Sequence, residues 1–248
     1  MIQIAIFSDV HGNLPALEAV LADIAARGIQ QTYCLGDLVD FAPWGNEVIE
    51  RIQEEQIPCL LGNHDERIAY DLPIIPLPKH TAEETACRIL AIQHSKNNIL
   101  EKNKAFLAQL PYLMQLDIQV NQKHWCIQLA HGSTESNEHY LYETEPDATF
   151  TSLLAEAKAD ILLMGHTHLS FIKSFGNKWA INVGSVGRSK EQNKDATYLL
   201  LQLDEDHIQA EIIRIPYAME EVIDKIKASD IPDFYANFLA SSQAYSTT

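Results

Sequence analysis

The chain has 248 residues, with 18 Lys plus Arg against 34 Asp plus Glu and a formal charge of −16. That balance argues against a protein that grips nucleic acid or anionic lipid through a broad basic face, because such binding neutralises many phosphates with Lys and Arg. With 46% hydrophobic residues the chain can bury a substantial core, which excludes disorder as a whole and favours a single domain over 1–248. Cys34, Cys59, Cys87 and Cys126 contain no CxxC pair, so free thiols in a reducing compartment are expected. No run approaches the roughly 18 apolar residues that span a bilayer, and Ile2 to Phe7 lacks the basic flank of a signal peptide. A cytoplasmic protein without a membrane partner is expected.

In chain order, Ile2 to Phe7 reads as a strand, Ser8 to Asn13 as a loop, and Ala16 to Arg27 as a helix with Leu17, Val20, Leu21 and Ile24 inward. Thr32 to Leu35 is a second strand, Glu47 to Gln56 a helix, and Pro58 to Leu61 a third strand. Two βαβ units in succession imply parallel strands. The 73–111 segment is helical, with a Thr81/Glu84 capping box and a break at Asn97 and Asn98. Strands are expected at Tyr112 to Val120, Trp125 to Ala130 and Asp160 to Met164, with a helix at about Thr149 to Lys158. Leu169–Phe175, Trp179–Val183, Thr197–Leu203 and Ile208–Ile215 read as an antiparallel series, with turns at Gly176-Asn177 and Asp204-Glu205-Asp206. Helices at about Met219 to Lys227 and Asp233 to Leu239 and a polar tail complete the chain.

Polar residues fall at the strand ends. Asp9 and His11 follow Phe7, Asp37 follows Leu35-Gly36, Asn63 and His64 follow Leu61-Gly62, His131 follows Ala130, and His166 and His168 follow Met164-Gly165. Sites in open α/β sheets form outside the carboxyl ends of strands, so these residues can converge. Asp9 with His11, and His166 with His168, are two apart and on extended backbone point to the same side. Gly36, Gly62 and Gly165 permit tight, left-handed turns. Two carboxylates, an amide oxygen and four imidazoles suit borderline divalent ions (Mn, Fe, Zn or Ni). The set is too large for one tetrahedral ion, and suits two ions about 3.5–4 Å apart.

These motifs, Asp9-Val10-His11, Gly36-Asp37, Gly62-Asn63-His64-Asp65, His131-Gly132 and Gly165-His166-Thr167-His168, resemble the calcineurin-like metallophosphoesterases. Gly12-Asn13-Leu14 and Asn182-Val183-Gly184-Ser185-Val186-Gly187 resemble a branch of small bacterial phosphoesterases. The resemblance implies an α/β fold, a four-layer αββα sandwich with the helical segment at about 80–110. It implies that Asp9, His11, Asp37 and His168 hold one divalent ion, and that Asn63, His131 and His166 hold a second, with Asp37 shared. The implied activity is phosphoester hydrolysis by a metal-bridging hydroxide, since a single zinc already lowers the pKa of water from 15.7 toward about 7. His64 is the expected proton donor to the leaving oxygen, and Asp40 matches a carboxylate that orients it in the related protein phosphatases.

Those phosphatases continue with Arg-Gly where this chain has Phe41-Ala42. Loss of that bidentate clamp favours phosphodiesters, nucleotide-like or small organic, over phosphoproteins. Arg67 or Arg188 can substitute. Leu38, Val39 and Asp40 offer no tyrosine ligand after Asp37, which argues against essential ferric iron. A phosphomonoesterase, a dinucleoside polyphosphate hydrolase and a non-catalytic scaffold of the same fold are the alternatives. Trp44, Tyr140 and Tyr142 follow ligand strands and either stack on a base or pack. His80, His94, His124, His139 and His207 match no motif and are expected at the surface.

Overall fold

Side chains that alternate between two apolar layers along the central strands build two sheets laid face to face. The computed structural model describes residues 1–78, 80–205 and 207–241; Asp206 of the expected turn and the polar tail at 242–248 lie outside them. The first sheet has the order β2-β1-β8-β9, from β1 (Ile2–Phe7), β2 (Gln31–Cys34), β8 (Ala196–Leu203) and β9 (Ile208–Ile215). The second has the order β3-β4-β5-β7-β6, from β3 (Leu113–Val120), β4 (Lys123–Ala130), β5 (Ile161–Met164), β6 (Phe171–Phe175) and β7 (Lys178–Asn182).

Ile4 and Ile6 of β1, Leu199 and Leu201 of β8, and Ile161 and Leu163 of β5 share the core between the sheets. Their neighbours Ala5, Phe7, Tyr198 and Leu200 face outward against Leu17 and Val20 of α1 (Leu14–Ala26) and Val48 and Ile49 of α2 (Gly45–Glu54). On the other side, Leu162 and Met164 pack with Phe150, Leu153 and Leu154 of α6 (Asp147–Glu156). With a period of two, each strand serves both interfaces at once. The result is the αββα sandwich.

Local signals set the helix ends. The Asn13 side chain caps α1 by accepting from Ala16 N at 3.2 Å. Thr81 and Glu84 form the reciprocal box at the start of α4 (Ala82–Asn98), at 3.1 and 2.8 Å. The break after Asn98 separates α4 from α5 (Glu101–Leu107). The chain ends in α7 (Met219–Lys227) and α8 (Asp233–Ala240), which pack on each other and on Phe41, Ala42 and Ala91.

Three expectations need correction. Pro58 to Leu61 is not a strand: it makes one parallel bridge, Cys34 to Cys59, because it must turn at Gly62 into a helix, α3 (Asn63–Ala69), that polar composition concealed. The strands after Leu169 are not one antiparallel series. β6 and β7 join the second sheet, where β7 runs parallel to β5, and β8 and β9 join the first. Pairing partners lie far apart in sequence, as with Ile4 opposite Leu201, so hairpin rules cannot find them. Finally, the ligand pairs do not sit on extended backbone, as described next. Among the described residues no helix is long and apolar enough to cross a membrane.

Candidate metal centre

Loops leaving β1, β2, β4 and β5, with the start of α3, bring all seven expected ligands together. Asp9, His11, Asp37 and His168 form one group of donor atoms within 4.8 Å of one another, and Asp37, His131 and His166 form a second. Asn63 joins the second through its Oδ1, 3.2 Å from His131 Nε2. Asp37 is common to both groups.

The backbone that aims them is left-handed at Asp9 (φ 57°), His11 (φ 50°), Asp37 (φ 57°), His166 (φ 65°) and His168 (φ 61°). Such φ values cost a residue with a Cβ on the order of 1 kcal/mol each. Cross-loop hydrogen bonds hold them: Asp9 N to Gly36 O at 2.9 Å, His11 N to Asp37 O at 2.9 Å, and Gly187 N to Asp9 O at 3.0 Å. Of the glycines expected in left-handed turns only Gly36 is so (φ 102°). Gly62 and Gly165 are required by close approach instead. A Cβ on Gly165 would lie 2.2 Å from Ser8 Oγ and 2.6 Å from Asp9 Oδ2.

The donors are pre-oriented. His11, His131 and His168 each place Nδ1 on a backbone carbonyl, of Val39 at 3.0 Å, Leu35 at 2.9 Å and Arg188 at 2.8 Å. Donation from Nδ1–H turns the Nε2 lone pair inward, as a carbonyl partner orients a histidine ligand in metalloproteins. Each carboxylate spends one oxygen on a backbone amide: Asp9 Oδ2 accepts from His166 N at 2.9 Å, and Asp37 Oδ1 from His64 N at 2.8 Å. The other oxygens, Asp9 Oδ1 and Asp37 Oδ2, are buried and lie 3.1 Å from His168 Nε2 and 3.4 Å from His131 Nε2, but neither they nor His166 Nε2 has a hydrogen-bond partner among the described residues. Orphaned lone pairs of N and O type around one point fit divalent cations.

Electrostatics agree. Burial resists a charge on His131, but the carboxylates of Asp37, Asp9 and Asp65 outweigh it and pull its pKa up to about 10. Burial also resists ionisation of Asp9 and Asp37, yet the neighbouring imidazoles hold both below the usual carboxylate range. The carboxylates thus attract positive charge, while burial pushes His11, His166 and His168 down, towards the neutral form that coordinates a metal.

Beside it, His64 Nδ1 lies 2.5 Å from Asp40 Oδ2. Burial pushes Asp40 up to about 7, against the pull of the Ser95 hydroxyl and Arg67. Burial, then the charges of Arg67, His11, Arg88 and Arg188, hold His64 well below its ordinary value. The His64 ring sits edge-on to Phe41, with centroids 4.8 Å apart, and Phe41 is 4.9 Å from His11.

Sequence reading overlooked Asp65, whose carboxylate accepts from Asp37 N (2.7 Å), Leu38 N (2.8 Å) and Gly62 N (3.1 Å) and so ties the Asp37 loop to α3. Its place one residue after His64 was the available signal. Also overlooked were Ser95 and Arg88 of α4, which act on Asp40 and His64 from a segment without a motif. Tyr140 packs, with its ring 3.9 Å from His166 and stacked on Tyr142 at 5.9 Å. Trp44 lies against the cluster of α7 and α8. None of His80, His94, His124, His139 or His207 is buried.

A family model described as the calcineurin-like phosphoesterase superfamily domain matches residues 2–206. The chain is 30% identical to protein MJ0912 of Methanocaldococcus jannaschii, over 93% of this chain and 94% of that one. It is 26% identical to the phosphodiesterase YfcE of Escherichia coli K12, over 82% of this chain and 89% of that one. The crystal structure of a metallophosphoesterase from Sphaerobacter thermophilus superposes with a TM-score of 0.75 at 24% identity, covering 98% of this chain and 99% of that one. The chain therefore belongs to the calcineurin-like phosphoesterase superfamily and is a metal-dependent phosphoester hydrolase.

Proposed function

We propose that the chain is a phosphodiesterase acting on small, nucleotide-like or organic phosphoesters, with two divalent ions, manganese among them, in the cytoplasm. The observation that carries this reading is the pair of donor groups joined at Asp37, each with a buried, unsatisfied donor atom. Asp9, His11, Asp37 and His168 would hold one ion, and Asp37, Asn63, His131 and His166 the other. When bound, such ions supply a water that is ionised near neutral pH and shield the phosphoryl oxygens.

The chain's own residues do the rest. Donation from His64 Nδ1–H to Asp40 fixes the tautomer and leaves Nε2 as the nitrogen that takes up a proton from solvent and gives it to the departing oxygen, returning to the neutral ring. Phe41 occupies the place of the clamp arginine of the related protein phosphatases. The guanidinium of Arg188 lies 4.4 Å over its ring, flanked by Phe238 at 4.9 Å and Tyr235 at 5.3 Å. Its Nε is buried without a hydrogen-bond partner among the described residues, so Arg188 supplies the phosphate contact from a different segment. One arginine in an aromatic cage suits the monoanion of a diester. The relative YfcE bears the name of a phosphodiesterase, and the free thiols suit a reducing compartment.

The test is hydrolysis of bis(p-nitrophenyl) phosphate against p-nitrophenyl phosphate with Mn, Ni or Zn. Faster turnover of the diester is expected; preference for the monoester would replace this reading with a phosphomonoesterase.

A further inference from the structure

A cleft of about 530 Å3 runs from the ligand Asn63 past Arg67 of α3 and Arg88 of α4 to Tyr112 and Asn137. Both arginine residues are nearly withdrawn from solvent, at 5% and 6% exposure. A buried guanidinium normally meets a carboxylate at close range, because an unpaired buried charge is costly. Here, among the described residues, Arg88 Nη1 donates to the carbonyl of Ile75, at 2.9 Å, and to no carboxylate. Arg67 Nη2 reaches Glu138 at 3.5 Å, a rim carboxylate with 66% of its side chain exposed. Arg67 Nη1 is buried with no hydrogen-bond partner among the described residues. The two cations also oppose each other: burial first, and then the Arg67 charge, lower the pKa of Arg88.

The carboxylates around the cleft do not answer this demand. Asp40 attracts both guanidinium groups through space, but among the described residues no hydrogen bond joins it to either, and its Oδ2 is engaged by His64 Nδ1. Glu66 already accepts from Asn137 Nδ2, at 3.0 Å, and from the Tyr112 hydroxyl. Glu135 stands at the rim with 63% of its side chain exposed. Two desolvated guanidinium groups, one with an unpaired Nη1, next to the proposed ligand Asn63 and lining a cavity of small-ligand size, describe a receptor for an anion.

Resting on the phosphoester-hydrolase reading above, we propose that Arg67 and Arg88 form a second anion subsite that binds a further phosphate group of the substrate. The substrate class is then phosphoesters that carry a second phosphate, such as nucleoside diphosphates, polyphosphates and their esters. The 73–111 segment, through Arg88, is what confers this selectivity.

Calorimetric titration of the manganese-loaded full chain with adenosine monophosphate and adenosine diphosphate isolates the second phosphate. The diphosphate is expected to bind about tenfold or more tightly, the worth of a charge-assisted hydrogen bond. In Arg67→Met and Arg88→Met that ratio falls toward one, and Arg88→Lys, which keeps the charge but not the fork, restores only part of it. Equal binding of the two nucleotides by the unaltered protein overturns the subsite whether or not the variants fold, as does a ratio that survives both substitutions in folded protein. Bis(p-nitrophenyl) phosphate turnover is followed in parallel. Diester hydrolysis with equal nucleotide affinities rejects the subsite alone, whereas absent diester hydrolysis rejects the phosphodiesterase reading.

Discussion

His64 and Asp40, 24 positions apart in sequence, meet through Nδ1 and Oδ2 at 2.5 Å, and the carboxylate is wholly buried. The contact leaves one ring nitrogen of His64 for proton transfer. His64→Ala is expected to lower kcat by about 10²–10⁴-fold with the metal content of the purified protein unchanged. Asp40→Asn should cost less, since an amide oxygen still accepts from Nδ1–H. If elemental analysis shows metal lost together with activity in His64→Ala, the residue is a ligand and not a proton donor.

Asp37 joins the two donor groups, so it should govern loading of both. Adding manganese to chelator-treated protein at a hundredfold excess over Kd is expected to stabilise it by about 3 kcal/mol, or about 5–10 °C in Tm. Asp37→Asn should abolish most of that shift and lower the bound metal found by elemental analysis. A full Tm response in the variant would remove Asp37 from the shared position.

Gly165 has room for hydrogen only. Gly165→Ala drives a Cβ into Ser8 Oγ and Asp9 Oδ2, and overpacking of this kind costs about 1–3 kcal/mol. Because the displaced atoms orient Asp9, metal affinity should fall together with stability. Gly176→Ala is the control. Nothing lies within 4 Å of its added Cβ, and only the left-handed φ of 68° penalises it, so thermal unfolding should show a smaller loss and metal titration none.

Arg188 carries the phosphate contact in the proposed mechanism. Arg188→Ala should reduce kcat/KM for bis(p-nitrophenyl) phosphate by about 10- to 100-fold, chiefly through KM. Arg188→Lys should rescue little, because the ammonium stacks poorly on Phe41 and presents no fork. An unchanged KM in both variants would assign the cage of Phe41, Tyr235 and Phe238 to packing alone.

The helical segment at 73–111 shows where sequence reading stops. Its capping box and its break were legible, because both are local events of three or four residues. Its contribution to the site was not. Arg88 and Ser95 look like ordinary residues of a polar helix until α4 is laid across Asp40 and His64, and nothing in their spacing announces that contact. Asp65 was hidden differently: it follows His64 directly, but its task is to accept three backbone amides, and such bonds exist only once the Asp37 loop has folded against α3.

By itself the sequence determined what short-range physics controls. Short apolar runs bounded by turn residues marked most of the strands, helical spacing marked most of the helices, and the Asp, Asn and His residues after five apolar runs named the ligand types and the end of the sheet where they emerge. Only the tertiary structure decided how the strands after Leu169 divide between two sheets, that the ligand loops turn through left-handed backbone, and that Arg188 lies on Phe41 while Arg67 and Arg88 share one cleft. These are contacts between residues distant in the chain, and they are settled by the packing of whole sheets and helices, which no local pattern encodes.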